Sequence, residues 1–438
     1  MKILLVGSGA REHALTRALL RDPAVSGIVA VPGNPGARAE ERVLAPDLGV
    51  DILDGAAIAA LATAHGVDLA VIGPEAPLVA GVADALRAVD VPVFGPSAAA
   101  ARLEGSKAFA KEIMAMADVP TAMAYVCTTE GQVADALDAF GPPYVVKDDG
   151  LAAGKGVVVT EDRQEALAHA RACLAKGVGG DVTDGAAAVV IEEFLDGPEV
   201  SLFCLADGER VVPLEPAQDF KRCGDGDTGP NTGGMGAYSP LPWAPQGMVE
   251  DVVARVAQPV IDEMARQGIP FVGLLYCGLA LTSRGMRVVE FNARFGDPET
   301  QVVLARLRSP LGQALHAAAT GRLDTLAPLE WSDGAAVTVV LAAQGYPGRI
   351  RTGVRIEGLT EAAAVEGAHV LHAGTADAPD APGGAPGAAP GVVSSGGRVL
   401  CVVGEGESIA QAREVAYDAM ARISLPGAHH RTDIAATA

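Results

Sequence analysis

The sequence predicts a multidomain α/β and α+β protein. It has a parallel α/β domain at the N-terminus, a central domain carrying a small lid, and a small α+β domain at the C-terminus. Three observations carry this reading. Apolar strand-like runs alternate with helical patterns through the first hundred or so residues, the rhythm of a parallel sheet. Glycine-rich turns then punctuate a longer series of strands, and after about Pro328 the pattern changes again. The 438 residues are enough for about three cores, placed at 1–103, 104–326 (lid at about 121–189) and 327–438.

With 33 basic and 54 acidic residues, the net charge of −21 argues against a protein that coats nucleic acid or binds an anionic membrane. Any phosphate site must be local. The six cysteines are scattered without a C-x-x-C pair, as in reduced cytosolic proteins. Ile3-Leu4-Leu5-Val6 lacks a signal peptide's pattern, and no apolar run approaches the roughly 20 residues of a membrane span. A cytoplasmic protein is expected.

Lys2–Val6 reads as a strand followed by Gly7-Ser8-Gly9-Ala10-Arg11-Glu12-His13 and a helix to about Arg21, an anion-accepting corner. No third glycine stands at dinucleotide spacing, which weakens a dehydrogenase reading. Strands at Ile28–Val31, Leu69–Ile72 and Pro92–Phe94 run into turns at Pro32-Gly33-Asn34, Gly73-Pro74-Glu75 and Gly95-Pro96-Ser97. Ligands of open α/β sheets sit beyond such strand ends.

Gly105-Ser106-Lys107 opens a helix that closes before Pro120, with Lys107 in the first turn, where the macrodipole disfavours a cation. The strand Pro142–Lys147 leads through Asp148 and the glycine-rich tip Gly150–Gly156, including Gly154 and Lys155, into the strand Val157–Thr160. This tip can fold over phosphates with its amides. It lacks a Walker ending, so it reads as a lid, followed by a helix over Glu161–Ala175. Val189–Leu195 and Glu199–Leu205 read as a hairpin around Asp196-Gly197-Pro198. Gln218–Arg222 and the glycine-rich Gly229–Gly236 follow, the latter a loop too loose for a central strand. A helix over Gln246–Gln267 and a strand over Phe271–Leu281 come next.

Arg287–Gln301 is the most informative stretch. Period-2 alternation makes its first half a strand, with Glu290, Asn292 and Arg294 on one face and Val289, Phe291 and Ala293 on the buried one. A carboxylate and an amide oxygen are hard ligands suited to Mg²⁺ held jointly with a nucleotide's phosphates, and an arginine fork can brace phosphate or carboxylate oxygens. The C-terminal part shows strands near Ala335–Leu341 and Arg398–Val403, a flexible Ala/Pro/Gly-rich loop at Ala376–Gly397, frayed exposed His429-His430, and no catalytic constellation.

Taken together, these residues resemble the phosphoribosylamine–glycine ligase (glycinamide ribonucleotide synthetase) family of ATP-grasp enzymes, from Met1 to about Asp433. The most specific marks are Arg294-Phe295-Gly296-Asp297-Pro298-Glu299 and Asp227–Gly236, supported by Arg11–Ala14, Gly73–Leu78, Leu103–Lys107, Asp149–Gly156 and His372–Thr375. The resemblance implies a pre-ATP-grasp domain, an ATP-grasp domain and a C-terminal domain. It also implies that glycine is activated by ATP as glycyl phosphate and captured by 5-phosphoribosylamine. Glu290 and Asn292 would hold Mg²⁺ (or Mn²⁺). Lys107, Lys147, Gly154, Lys155 and Gly156 would grip ATP's phosphates, Glu192, Glu193 and Leu195 the adenine, and Glu199 the ribose. Arg294, Lys147, Asp219 and Lys221 would be catalytic. Gly9, Arg11, Glu12, Gly73, Pro74, Glu75, Gly233, Arg294, Asp297 and Glu299 would face the other substrates. Family habit points to a monomer. Asp148 departs from the family's small residue, and alternation along its strand is expected to turn it away from the phosphates. A carboxylase-type ATP-grasp enzyme would share the lid and metal pair but differ at Asp227–Gly236 and Arg294–Glu299. A regulatory nucleotide-binding module would lack a metal ligand or a lysine, and all of these are present.

Overall fold

The computed structural model describes residues 1–46, 49–151, 156–176, 187–378 and 391–438. The N-terminal sheet is wholly parallel, ordered Val43–Leu44, Gly27–Pro32, Lys2–Gly7, Leu69–Ile72, Val93–Phe94. Its central strands are buried on both faces, which is why they read as continuous apolar runs rather than alternating ones. The strand order reverses between Lys2–Gly7 and Leu69–Ile72, so the crevice for a ligand opens where Gly7-Ser8-Gly9 and Gly73-Pro74-Glu75 leave the sheet. The two-residue strand Val43–Leu44 was too short to carry a pattern.

The central domain stacks two antiparallel sheets. One is the lid, ordered Ala124–Cys127, Val189–Glu192, Tyr144–Asp148, Val157–Thr160, with helices Glu130–Phe140 and Arg163–Lys176 over it. The other is ordered Val211–Pro213, Glu199–Asp207, Val272–Thr282, Gly285–Asn292. The expected hairpin around Asp196-Gly197-Pro198 is therefore wrong. Val189–Glu192 belongs to the lid and Glu199–Asp207 to the larger sheet, and the six residues between them cross from one to the other. The alternation Val189–Leu195 shares with a strand could not reveal that its partner lies elsewhere.

Two further expectations fail. The glycine-rich segment is not structureless: Arg222–Gly224 pairs with Thr228–Asn231, and Gly236–Ser239 is an interior strand. That strand lies in a five-stranded antiparallel sheet ordered Gln218–Asp219, Gly236–Ser239, Ala335–Ala342, Arg398–Gly406, Ala368–His372. The central and C-terminal parts of the chain thus share one sheet. His429 is not frayed either; its backbone pairs in both directions with Ala342, and its ring meets Cys223 Sγ at 3.2 Å. Of the Ala/Pro/Gly segment, the flanks Thr375–Asp377 and Val392–Ser394 are strands that pair with each other, and 379–390 lie outside the described residues. The N-terminal domain docks on this last sheet through buried His13, whose Nδ1 accepts the amide of His372 at 3.0 Å.

Candidate active site

A cleft of about 570 Å³ lies where the lid, the larger central sheet, the N-terminal domain and the C-terminal sheet meet. Its metal-type face is the strand Gly285–Asn292. A register shift opposite Gly278/Leu279 leaves Val289 as an extra residue, so Val288 and Phe291 are both buried while Val289, Glu290 and Asn292 line the cleft. Simple alternation had put Val289 on the buried face; the bulge corrects the phase and re-aims the next side chains. Burial alone would push the Glu290 carboxyl up, but the ammonium groups of Lys221, Lys147 and Lys107 outweigh it and hold the group below the ordinary glutamate range. An ionised carboxylate and an amide two residues apart make a hard-oxygen donor pair, which fits a divalent cation.

On the lid side, Lys147 is 4% exposed. Its Nζ donates to the Val289 carbonyl at 3.0 Å and pairs with Glu192 at 2.7 Å, tying the lid to the bulge. Glu192 also accepts Lys111 at 3.0 Å. Lys111 was not singled out from the sequence, although it follows Lys107 by one helical turn. Burial draws its ammonium below the ordinary lysine range, against the pull of Glu192. Lys107 begins the helix Lys107–Met116 and reaches the Gly150 carbonyl at 3.2 Å. The cost of a cation in this first turn is offset by Asp149, which accepts the Ala108 amide at 3.1 Å and the Ser106 hydroxyl. Asp148 turns away to Lys176 at 2.6 Å. Glu193 takes Arg284 at 2.8 Å, and Glu199 pairs with Lys221. Val145, Val157, Val159, Phe194, Leu195 and Ala280 supply an apolar wall at this end.

The opposite end is built from arginine–carboxylate pairs. Arg294 bonds Glu75 at 3.2 Å and Glu104 at 2.9 Å, and Glu104 also accepts the Ala293 amide at 2.7 Å. Burial works against the Arg294 charge, but Glu104 and Glu75 more than restore it. Burial pushes the Glu104 carboxyl up despite this guanidinium. Asp297 is held by Arg398 at 3.2 Å and Gln301 at 2.8 Å. Glu299 accepts Tyr276 at 2.8 Å and Ser201 at 3.2 Å. Between the two ends, burial raises the Asp219 carboxyl to about 7, against the opposing pull of Lys221.

Most of the residues expected from the sequence meet here: Arg11, Glu75, Lys107, Lys147, Gly156, Glu192, Glu193, Leu195, Glu199, Asp219, Lys221, Gly233, Glu290, Asn292, Arg294, Asp297 and Glu299 all line the cleft. Gly9, Glu12, Gly73 and Pro74, expected to face substrate, are not among the residues that line it. Glu12 folds back to accept the Gly9 amide and Arg11 Nε, both at 2.6 Å. A Cβ on Gly73 would stand 2.0 Å from its carboxylate. These residues close the corner from behind and aim Arg11, whose Nη1 reaches the Phe295 carbonyl at 3.1 Å. Gly154 and Lys155 lie outside the described residues. Glu104 and the C-terminal residues Tyr346 and Arg398 also line the cleft without having been singled out. Glu104 sat in plain view within Leu103–Lys107. Arg398 follows a segment that reads as flexible, and nothing local marked it.

Comparison with known proteins gives the family. The chain matches the family models described as phosphoribosylglycinamide synthetase N domain over residues 1–104, ATP-grasp (A) domain over 105–300 and C domain over 336–437. It is 62% identical over 440 residues to the phosphoribosylamine–glycine ligase of Streptomyces coelicolor, covering 100% of this chain and 99% of that one. The crystal structure of phosphoribosylamine–glycine ligase from Thermotoga maritima superposes with a TM-score of 0.81 at 31% identity, covering 99% of this chain and all of that one. The biotin carboxylase domain of the Hydrogenobacter thermophilus 2-oxoglutarate carboxylase, crystallised with MgADP, shares the fold alone, at a TM-score of 0.71 and 15% identity. The chain is thus a member of the phosphoribosylamine–glycine ligase family of ATP-dependent ATP-grasp enzymes.

Proposed function

We propose that the protein joins glycine to 5-phosphoribosylamine at the expense of ATP, giving glycinamide ribonucleotide, ADP and phosphate. The observation that carries this is the two-ended cleft: lysines and an apolar wall at one end, paired arginines at the other, with Glu290 and Asn292 between. On this reading the adenine lies against Glu193 and Leu195, and Lys107 and Lys147 grip the phosphates. Glu290 and Asn292 would hold Mg²⁺ or Mn²⁺, which when bound neutralises phosphate charge as it builds in the transition state.

No side chain needs to act as a nucleophile. Glycine's carboxylate takes the γ-phosphoryl group, and Arg294, locked by Glu75 and Glu104, faces the acyl phosphate with its fork already oriented. The amine then attacks the acyl carbon, phosphate leaves, and the surplus proton passes to Asp219, whose carboxyl near 7 suits a base at neutral pH. Lys221 balances the charge beside it. Among the described residues no helix is long and apolar enough to cross a membrane. By family resemblance we take a monomer in the cytoplasm as the working unit.

The test is ADP release with Mg²⁺, glycine and freshly generated phosphoribosylamine, leaving out each substrate in turn. Turnover that needs both and yields glycinamide ribonucleotide is the expected result. ADP release that ignores either substrate contradicts the assignment.

A further inference from the structure

We infer that Arg398, on the first residue of a C-terminal strand, is a positioning residue through which the C-terminal domain sets the acceptor end of the cleft; this rests on the ligase reading above. Its guanidinium joins two loops that no sheet among the described residues holds together. Nη1 donates to the carbonyls of Gly233 at 2.6 Å and Asp297 at 2.7 Å, and more weakly to Gly234 at 3.3 Å, while Nη2 meets the Asp297 carboxylate at 3.2 Å. A second C-terminal side chain holds the same glycine from its other side: the Tyr346 hydroxyl accepts the Gly233 amide at 3.2 Å. A Cβ on Gly233 would lie 3.3 Å from the guanidinium carbon, so the peptide packs directly against the fork.

From Gly233 the constraint passes inward. The Thr232 amide and hydroxyl both donate to the Lys221 carbonyl, at 2.8 and 2.9 Å, and the Gly234 amide returns to the Thr232 oxygen at 3.0 Å. From Asp297 it passes to Glu299, two residues on. Arg398 therefore fixes the separation between the Lys221 side of the cleft and the Asp297–Glu299 turn, while the lid is a different sheet and Glu193 and Leu195, proposed for adenine, lie in the segment that leaves it. The guanidinium is only 20% exposed, and Asp297 and burial hold it between them. A planar fork can serve acceptors on two loops at once; a single ammonium on a flexible stem cannot.

The prediction separates geometry from charge. In Arg398→Lys, the KM for phosphoribosylamine should rise at least tenfold, while the KM for ATP stays within twofold and the melting temperature is nearly unchanged. Tyr346→Phe should shift the same KM in the same direction by a smaller factor, and decides the matter if Arg398→Lys folds poorly. Kinetics like the parent's in both variants overturn the inference. So does a parallel rise in both KM values together with a loss of melting temperature, which marks a purely structural role. The parent enzyme is assayed alongside: if it does not use phosphoribosylamine at all, the ligase reading has failed rather than this one.

Discussion

The two ends of the cleft solve the problem of binding charge in opposite ways. At the lid end the cations are lysines, and their shared counter-ion is Glu192, buried between Lys147 and Lys111. At the acceptor end the cations are arginines, each already engaged: Arg11 with Glu12, Arg294 with Glu75 and Glu104, Arg398 with Asp297. A lysine ammonium is a compact point charge suited to phosphate oxygens, whereas a paired arginine fork presents donors in a fixed plane. At the lid end two lysines share one buried carboxylate; at the acceptor end each arginine fork has a carboxylate of its own.

The largest effect should come from the border between them. Glu290→Ala removes the ionised half of the donor pair, and turnover should fall by about 10²–10³-fold or more, the scale seen when one electrostatic stabiliser is lost, with circular dichroism unchanged. Near-normal turnover removes the metal assignment. Next is Glu192→Gln, which strands two buried ammonium groups. Breaking such a pair costs about 3–5 kcal/mol, to be read from urea unfolding, and a loss near zero would make the lid-end cluster a loose surface arrangement.

Asp219 sharpens the comparison through pH. Its carboxyl titrates near 7 in the fold and near 4 when unfolded, so the unfolded chain loses this proton first. Stability should therefore fall as pH rises from about 4 to about 7 and level off above. Asp219→Asn should flatten that slope and remove the limb near pH 7 from the kcat/KM profile for phosphoribosylamine; a profile that keeps the limb assigns the proton elsewhere. The smallest effect is expected from Glu104→Gln, which keeps an acceptor for the Ala293 amide but takes one charge from Arg294. A loss of about tenfold in kcat fits a charge-assisted hydrogen bond worth roughly 1.5 kcal/mol, with Mg²⁺ dependence unaltered.

The lid end was the more legible in sequence. Lys107, Lys147, Glu290 and Asn292 sit at the ends of strands and helices whose periodicity could be read directly, and their clustering follows once those elements pack. The N-terminal parallel strands were legible for the same reason. What escaped was long-range. A bulge at Val289 depends on the register of the neighbouring strand. The sheet that unites Gly236–Ser239 with Ala335–Ala342 joins segments about 100 residues apart. Arg398 reaches the cleft only because of that shared sheet. Glu12, which the family resemblance puts among the substrate residues, accepts the Gly9 amide and Arg11 Nε, contacts that strand and helix periodicity could not give.

The position of the nucleotide is the most direct test of the division of the cleft. A crystal structure with Mg²⁺ and a non-hydrolysable ATP analogue should show adenine against Glu193 and Leu195, the phosphates between Lys107 and Lys147, and the metal on Glu290 and Asn292. An analogue seated instead with its phosphates on Arg11, Arg294 and Arg398 would contradict the division of the cleft.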